Sequence, residues 1–87
     1  MKKQEAIEWR VHDLKTWPIY FRELVTGRKH TEFRRFDRDF QIGDILMLRE
    51  YDPDKKEYTG RELRRRVSYL FVPHTAPEHV VMELAEV

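Results

Sequence analysis

With 87 residues the chain has room for one small domain, residues 1–87, built on a single core. Its 17 Lys and Arg balance 16 Asp and Glu to a net charge of +1, so bulk charge singles out no class of partner. There is no cysteine, which excludes disulfides, thiolate nucleophiles and thiolate metal sites together.

The start, Met1-Lys2-Lys3-Gln4-Glu5, is basic, but no apolar run follows it. Neither a signal peptide nor a membrane span is expected. A cysteine-free domain of this size fits a reducing, cytoplasmic setting. Ile7, Trp9 and Val11 then alternate with Glu8 and Arg10, the period-two mark of a half-buried strand. On that parity His12 faces out of the strand, or into a cleft beside the helix N-terminus.

From Trp17 the period changes. Trp17, Tyr20, Phe21, Leu24 and Val25 fall on one helical stripe, and core packing is its expected use. Thr16 suits the N-cap, Pro18 the first turn and Gly27 the stop. Residues 31–36 read as a second strand, and Asp37-Arg38-Asp39 as a polar turn. Ile45-Leu46-Met47-Leu48 reads as a buried strand running on to Tyr51, with Gly43-Asp44 punctuating its approach. Asp52-Pro53-Asp54-Lys55-Lys56 carries strong turn chemistry. A fourth strand follows, in which Leu63, Val67, Tyr69 and Phe71 alternate with Arg64, Arg66 and Ser68. After an irregular link from Pro73 to Pro77, residues 80–87 form a last strand. The fold class expected is mostly β with one main helix: about five strands in a small barrel that closes its own edges.

The stretch richest in chemistry is Gly27-Arg28-Lys29-His30-Thr31-Glu32-Phe33-Arg34, a G-x-K-x-x-E-x-R string at the helix-to-strand junction. Glycine there permits the left-handed conformation that ends a helix. Residues two apart on a strand share a face, so Glu32 and Arg34 project together, with Lys29 just ahead of them. Either an ion network fixes this corner, or a polar pocket holds a ligand. An arginine fork with a lysine suits phosphate or a polar base edge.

That string resembles the signature of the ASCH domains, PUA-like β-barrels associated with RNA. His12-Asp13-Leu14-Lys15, the aromatic helix, Asp37-Arg38-Asp39-Phe40, Gly43-Asp44-Ile45-Leu46, Leu48-Arg49-Glu50-Tyr51-Asp52 and Tyr58-Thr59-Gly60-Arg61 are similar, in order and spacing, to one ASCH-like family, DUF3850. The resemblance runs from about His12 to Tyr69 and implies a PUA-like barrel. It also implies a module that binds RNA or a modified nucleotide in a cleft lined by His12, Lys15, Lys29, Glu32, Arg34 and Arg38. Some ASCH-like proteins are amidohydrolases on acylated nucleosides, using a lysine with a threonine three residues later. Here that position is Glu32, and Thr31 has the opposite parity, so this activity is disfavoured. A small enzyme of nucleic-acid metabolism, a ribonuclease or an amidohydrolase using Lys29 and Glu32, is the alternative. His12, Lys15 and Lys29 would then serve as acid, base or phosphate ligand. A third reading is an interaction domain whose ion network is purely structural.

Arg61, Arg64, Arg65 and Arg66 form a basic run. Alternation puts Arg64 and Arg66 on one face, which is either a solvated strand face or a surface that contacts phosphate, with Tyr51 and Tyr58 near for stacking. Arg65 is expected to pair with a glutamate at the barrel rim. His74 and His79 have no metal-site spacing, and no glycine-rich phosphate loop occurs, so neither a metal nor a cofactor is expected. A monomer is the expected state.

Overall fold

The computed structural model describes residues 10–87. Five strands and one helix follow in the order β1 (Val11–Thr16), α1 (Pro18–Val25), β2 (Thr31–Arg35), β3 (Ile45–Asp52), β4 (Glu57–Phe71) and β5 (His79–Ala85). They form one sheet in the order β1-β3-β4-β5-β2, curled into a half-barrel. β1 runs parallel to β3, and every other neighbouring pair is antiparallel.

A parallel neighbour needs a crossover. Here the chain leaves edge strand β1, passes through α1 and enters the opposite edge strand β2 before returning to pair β3 with β1. The mostly-β class with one helix holds, and the curled half-barrel of five strands is consistent with the small barrel expected. β1 and β2 lie at the two ends of the strand order, and the ladder stops at each of them.

The concave face carries the core. Leu14, Leu24, Phe40, Leu46, Leu48, Val67, Val80 and Met82 form one buried cluster, with Leu63, Leu70 and Leu84 partly buried against it. Leu14 and Thr16 of β1, with Leu46, Leu48 and Glu50 of β3, show the period-two burial of strands packed on one side. On β1 that parity is opposite to the sequence reading. Val11 is exposed, and His12 is half-buried with Leu14 and Thr16 inside. Ile7 and Trp9, which set the expected parity, lie outside the described residues.

The helix is shorter and less buried than its stripe implies. Phe21 and Leu24 are its buried residues, while Trp17, Tyr20 and Val25 are about half exposed. Eight residues make little more than two turns, too few to seat five side chains on one surface. Thr16 does not cap the helix. It belongs to β1, is buried, and donates its hydroxyl to Leu14 O; Trp17 is the N-cap, without a side-chain hydrogen bond. Pro18 opens the first turn as expected, and Gly27, at φ 83°, turns the chain out of the helix.

The β3–β4 hairpin is fixed by Asp52, whose Oδ1 accepts the main-chain N–H groups of Asp54 at 2.9 Å and Lys55 at 3.1 Å. On the convex face, Arg49 bridges Asp13 of β1 and Glu62 of β4. The hydrogen bond to Asp13, then the charges of Asp13 and Glu62, raise the Arg49 pKa above its ordinary value. A bulge at Ser68 shifts the β4–β5 register and inverts the alternation beyond it. Tyr69 and Phe71 are therefore exposed and Leu70 turns inward, the reverse of the uninterrupted pattern.

Candidate functional site at the open seam

β1 and β2 border the opening of the half-barrel. Ile45 N donates to Arg10 O at 2.8 Å, which fixes the phase of the β1–β3 ladder. Alternate residues of a strand turn their main-chain groups to alternate sides. His12, Leu14 and Thr16 therefore serve β3, while Asp13 and Lys15 turn theirs outward into the seam. Two arginines meet these outward carbonyls. Arg34 of β2 donates from Nη2 to Lys15 O at 2.7 Å, and Arg38 Nη1 makes a longer 3.4 Å contact to Asp13 O.

Arg34 also anchors the polar core of the site. Its Nε donates to Glu32 Oε2 at 2.5 Å, and Nη2 reaches Thr16 Oγ1 at 3.5 Å. Glu32 is buried, at 6% exposure, and Arg34 covers it from the solvent side. A buried carboxylate needs such a partner. The partner is Arg34, which strand parity puts on the same face. Lys29 has no carboxylate within 4 Å among the described residues, and its ammonium stands 5.9 Å from the centroid of the Tyr20 ring.

Around this pair lies a cleft of 570 Å³. Lys29, Glu32 and Arg34 share its wall with Trp17 and Tyr20 of the helix region and with Phe33 and His79 across β2 and β5. The G-x-K-x-x-E-x-R string thus converges on one cavity, as its spacing implies. Phe33 stacks on His79 at 4.9 Å with the rings 5° from parallel, and His79 Nδ1 is buried without a hydrogen-bond partner among the described residues. Arg35, also at the cleft, pairs with Glu78 at 3.4 Å.

The other sequence-predicted residues separate. Lys15 borders the cleft, yet its ammonium lies 4.1 Å from the centroid of the Tyr51 ring. His12 is elsewhere: its Nε2 is 2.8 Å from Asp44 Oδ2, and its ring packs on Phe40. Asp44 is buried and also accepts from Gln41 N and Arg10 Nε, so His12 belongs to a structural knot. Arg38 pairs with Asp37 and lies beside Phe40, not in the cleft. Arg64 and Arg66 do share a face of β4, opposite Met47 and Ile45, but β4 is the middle strand, remote from the seam. Arg66 donates to Gly43 O at 3.2 Å. Tyr51 and Tyr58 pack edge-on against each other at 5.1 Å. Arg65 donates to Arg64 O instead of a glutamate, and Arg61 pairs with the buried Glu50, which Thr59 Oγ1 also reaches.

Trp17, Tyr20, Phe33, Arg35 and His79 are cleft residues that sequence reasoning did not assign. For Trp17 and Tyr20 a signal existed in the width of the helical stripe; for Phe33 and Arg35 nothing local marked them. An arginine–carboxylate pair and exposed aromatic rings thus line one small cleft at the seam of the half-barrel.

Comparison with known proteins places the fold in a family. The chain belongs to DUF3850, described as a domain of unknown function, whose family profile matches residues 11–84. It is also similar to a protein of Escherichia phage P2 described as an uncharacterized 12.9 kDa protein in the GpA 3′ region, with 34% identity over 59 residues. That match covers 68% of this chain and 52% of the phage protein, so the chain spans about half the length of the relative it matches. Among the described residues no helix is long and apolar enough to cross a membrane.

Proposed function

We propose that the protein is a PUA-like binding module that accepts RNA or a modified nucleotide in the seam cleft. The observation carrying this reading is the composition of that one cavity. Half-exposed Trp17 and Tyr20 face it beside Lys29, whose ammonium has no carboxylate partner among the described residues. Exposed aromatic rings are platforms for bases, and an uncommitted ammonium is a partner for phosphate. Arg34 and Glu32 supply a fixed floor with both hydrogen-bond polarities. The volume is in the range of about 300–1,000 Å³ typical of small-ligand sites.

Titration of the ¹⁵N-labelled protein with mononucleotides and short single-stranded RNAs, at two salt concentrations, tests the reading. Shifts confined to Trp17, Tyr20, Lys29, Phe33 and Arg34, weakening as salt rises, are expected. Saturation with no perturbation at those residues would overturn it.

A further inference from the structure

We propose that the main chain of β2 at Phe33 reads the donor–acceptor edge of a nucleobase in the cleft, an inference that rests on the nucleotide reading above. Two hydrogen bonds beyond the strand ends set the phase of the β2–β5 ladder. Leu84 N donates to His30 O, and Phe36 N donates to Glu78 O, both at 2.8 Å. With the register Thr31↔Glu83 through Arg35↔His79, the bonded pairs are those at 30, 32, 34 and 36. Thr31, Phe33 and Arg35 therefore turn their N–H and C=O groups away from β5, and among the described residues no strand lies on that side.

The lining of the cleft agrees. Four consecutive residues, Glu32, Phe33, Arg34 and Arg35, all border it. Their side chains alternate between the two faces of the strand, so all four can share one wall only where the strand edge forms that wall. Across the seam the equivalent acceptor, Lys15 O, is already taken by Arg34. Phe33 N–H and C=O have no such partner from the opposite edge among the described residues.

An outward strand residue offers one donor and one acceptor side by side. The amide edge of uracil or guanine, and the amidine edge of cytosine or adenine, present the complement, and Trp17 and Tyr20 are placed to cover the ring. A bare strand edge also templates an extended peptide. Here Arg34 crosses the seam to Lys15 O and Thr16 Oγ1, so a peptide cannot run the length of β2 without breaking that bridge. A single planar group needs no such length.

The test uses the whole chain, the four ribonucleoside 5′-monophosphates and their counterparts methylated at the pairing-edge ring nitrogen. Methylation of the best binder is expected to lower affinity by about tenfold or more, the scale of losing buried hydrogen bonds. Phe33→Pro removes the N–H that faces the seam while leaving the β5 ladder intact, a position where an edge strand tolerates proline. It is expected to reproduce that loss, and Phe33→Leu, which keeps the N–H, is expected to lose less. Should Phe33→Pro fail to fold, the methylated ligands decide alone. Equal affinity for methylated and unmethylated nucleotides, or for ribose 5-phosphate, would overturn the inference and leave the nucleotide reading standing. Absence of binding by every nucleotide and RNA would overturn both. Protection of the Phe33 amide by an extended peptide, with none by nucleotides, would make β2 a peptide-docking edge instead.

Discussion

Arg34 donates to the main-chain oxygen of Lys15 at 2.7 Å, and this contact spans the gap that the strand ladder leaves between β1 and β2. A side chain does there what a sixth strand would do in a closed barrel. The same guanidinium satisfies buried Glu32, so one residue both fastens the seam and supports the cleft floor.

Arg34→Met is therefore expected to cost about 3–5 kcal/mol, because it strands a buried carboxylate. Arg34→Lys keeps the charge but not the fork that serves Glu32, Lys15 and Thr16 at once, and is expected to recover only part of the loss. The double variant Glu32→Leu with Arg34→Met removes both members of the pair and is expected to regain much of the stability. It should not regain binding. Urea denaturation together with nucleotide titration of the three variants checks both statements; a double variant that binds with native affinity would remove Glu32 and Arg34 from the site.

The helix offers a cleaner division of roles. Phe21 is 2% exposed, so Phe21→Ala is expected to cost about 3–5 kcal/mol and to lower the melting temperature sharply. Trp17 and Tyr20, at 50% and 55% exposure, are expected to change stability by only about 0.5 kcal/mol when replaced by alanine. Their loss should instead weaken ligand binding by removing stacking area. Melting curves and affinities measured on the same three variants would separate core from cleft, and a large melting shift for Tyr20→Ala would return it to the core.

These contrasts show what the sequence could carry. The two-residue spacing of Glu32 and Arg34 put them on one face, and the apolar run before Glu50 located β3, because strand parity is a local property. The choice of Arg34 over Lys29 as the partner of Glu32 was not legible, since Lys29 sits in coil after Gly27, where no period fixes its direction. Parity failed on β1, where Leu14 is the one apolar side chain among the inward residues His12, Leu14 and Thr16. It failed again past Ser68, because a bulge inverts the alternation without any sequence mark of its own. The open seam was hidden for a different reason: which strands become edges depends on the order of the whole sheet.

His12 and Asp44 are expected to act on stability alone. Asp44 accepts from Arg10, His12 and the Gln41 N–H in a nearly buried position, so Asp44→Ala leaves three donors without their acceptor. A loss of about 3 kcal/mol or more is expected, with His12→Ala costing less because Arg10 and Gln41 keep their bonds. In chains that remain folded, nucleotide affinity should be unchanged, since neither residue borders the cleft. Affinity lost in folded His12→Ala would place the ligand against β1's other end.

Salt dependence locates the phosphate. Lys29 and Lys15 are the cleft cations without a carboxylate partner among the described residues, and Lys15 is held over the Tyr51 ring, whereas Arg34 and Arg35 are committed to Glu32 and Glu78. If Lys29 neutralises one phosphate, Lys29→Met should weaken binding and reduce the slope of log affinity against log salt by about 0.7–1. Arg64→Ala with Arg66→Ala should leave the mononucleotide slope unchanged, because both project from the middle strand of the sheet, away from the seam. A slope that falls for the arginine pair and holds for Lys29→Met would move the nucleic-acid surface from the seam to β4.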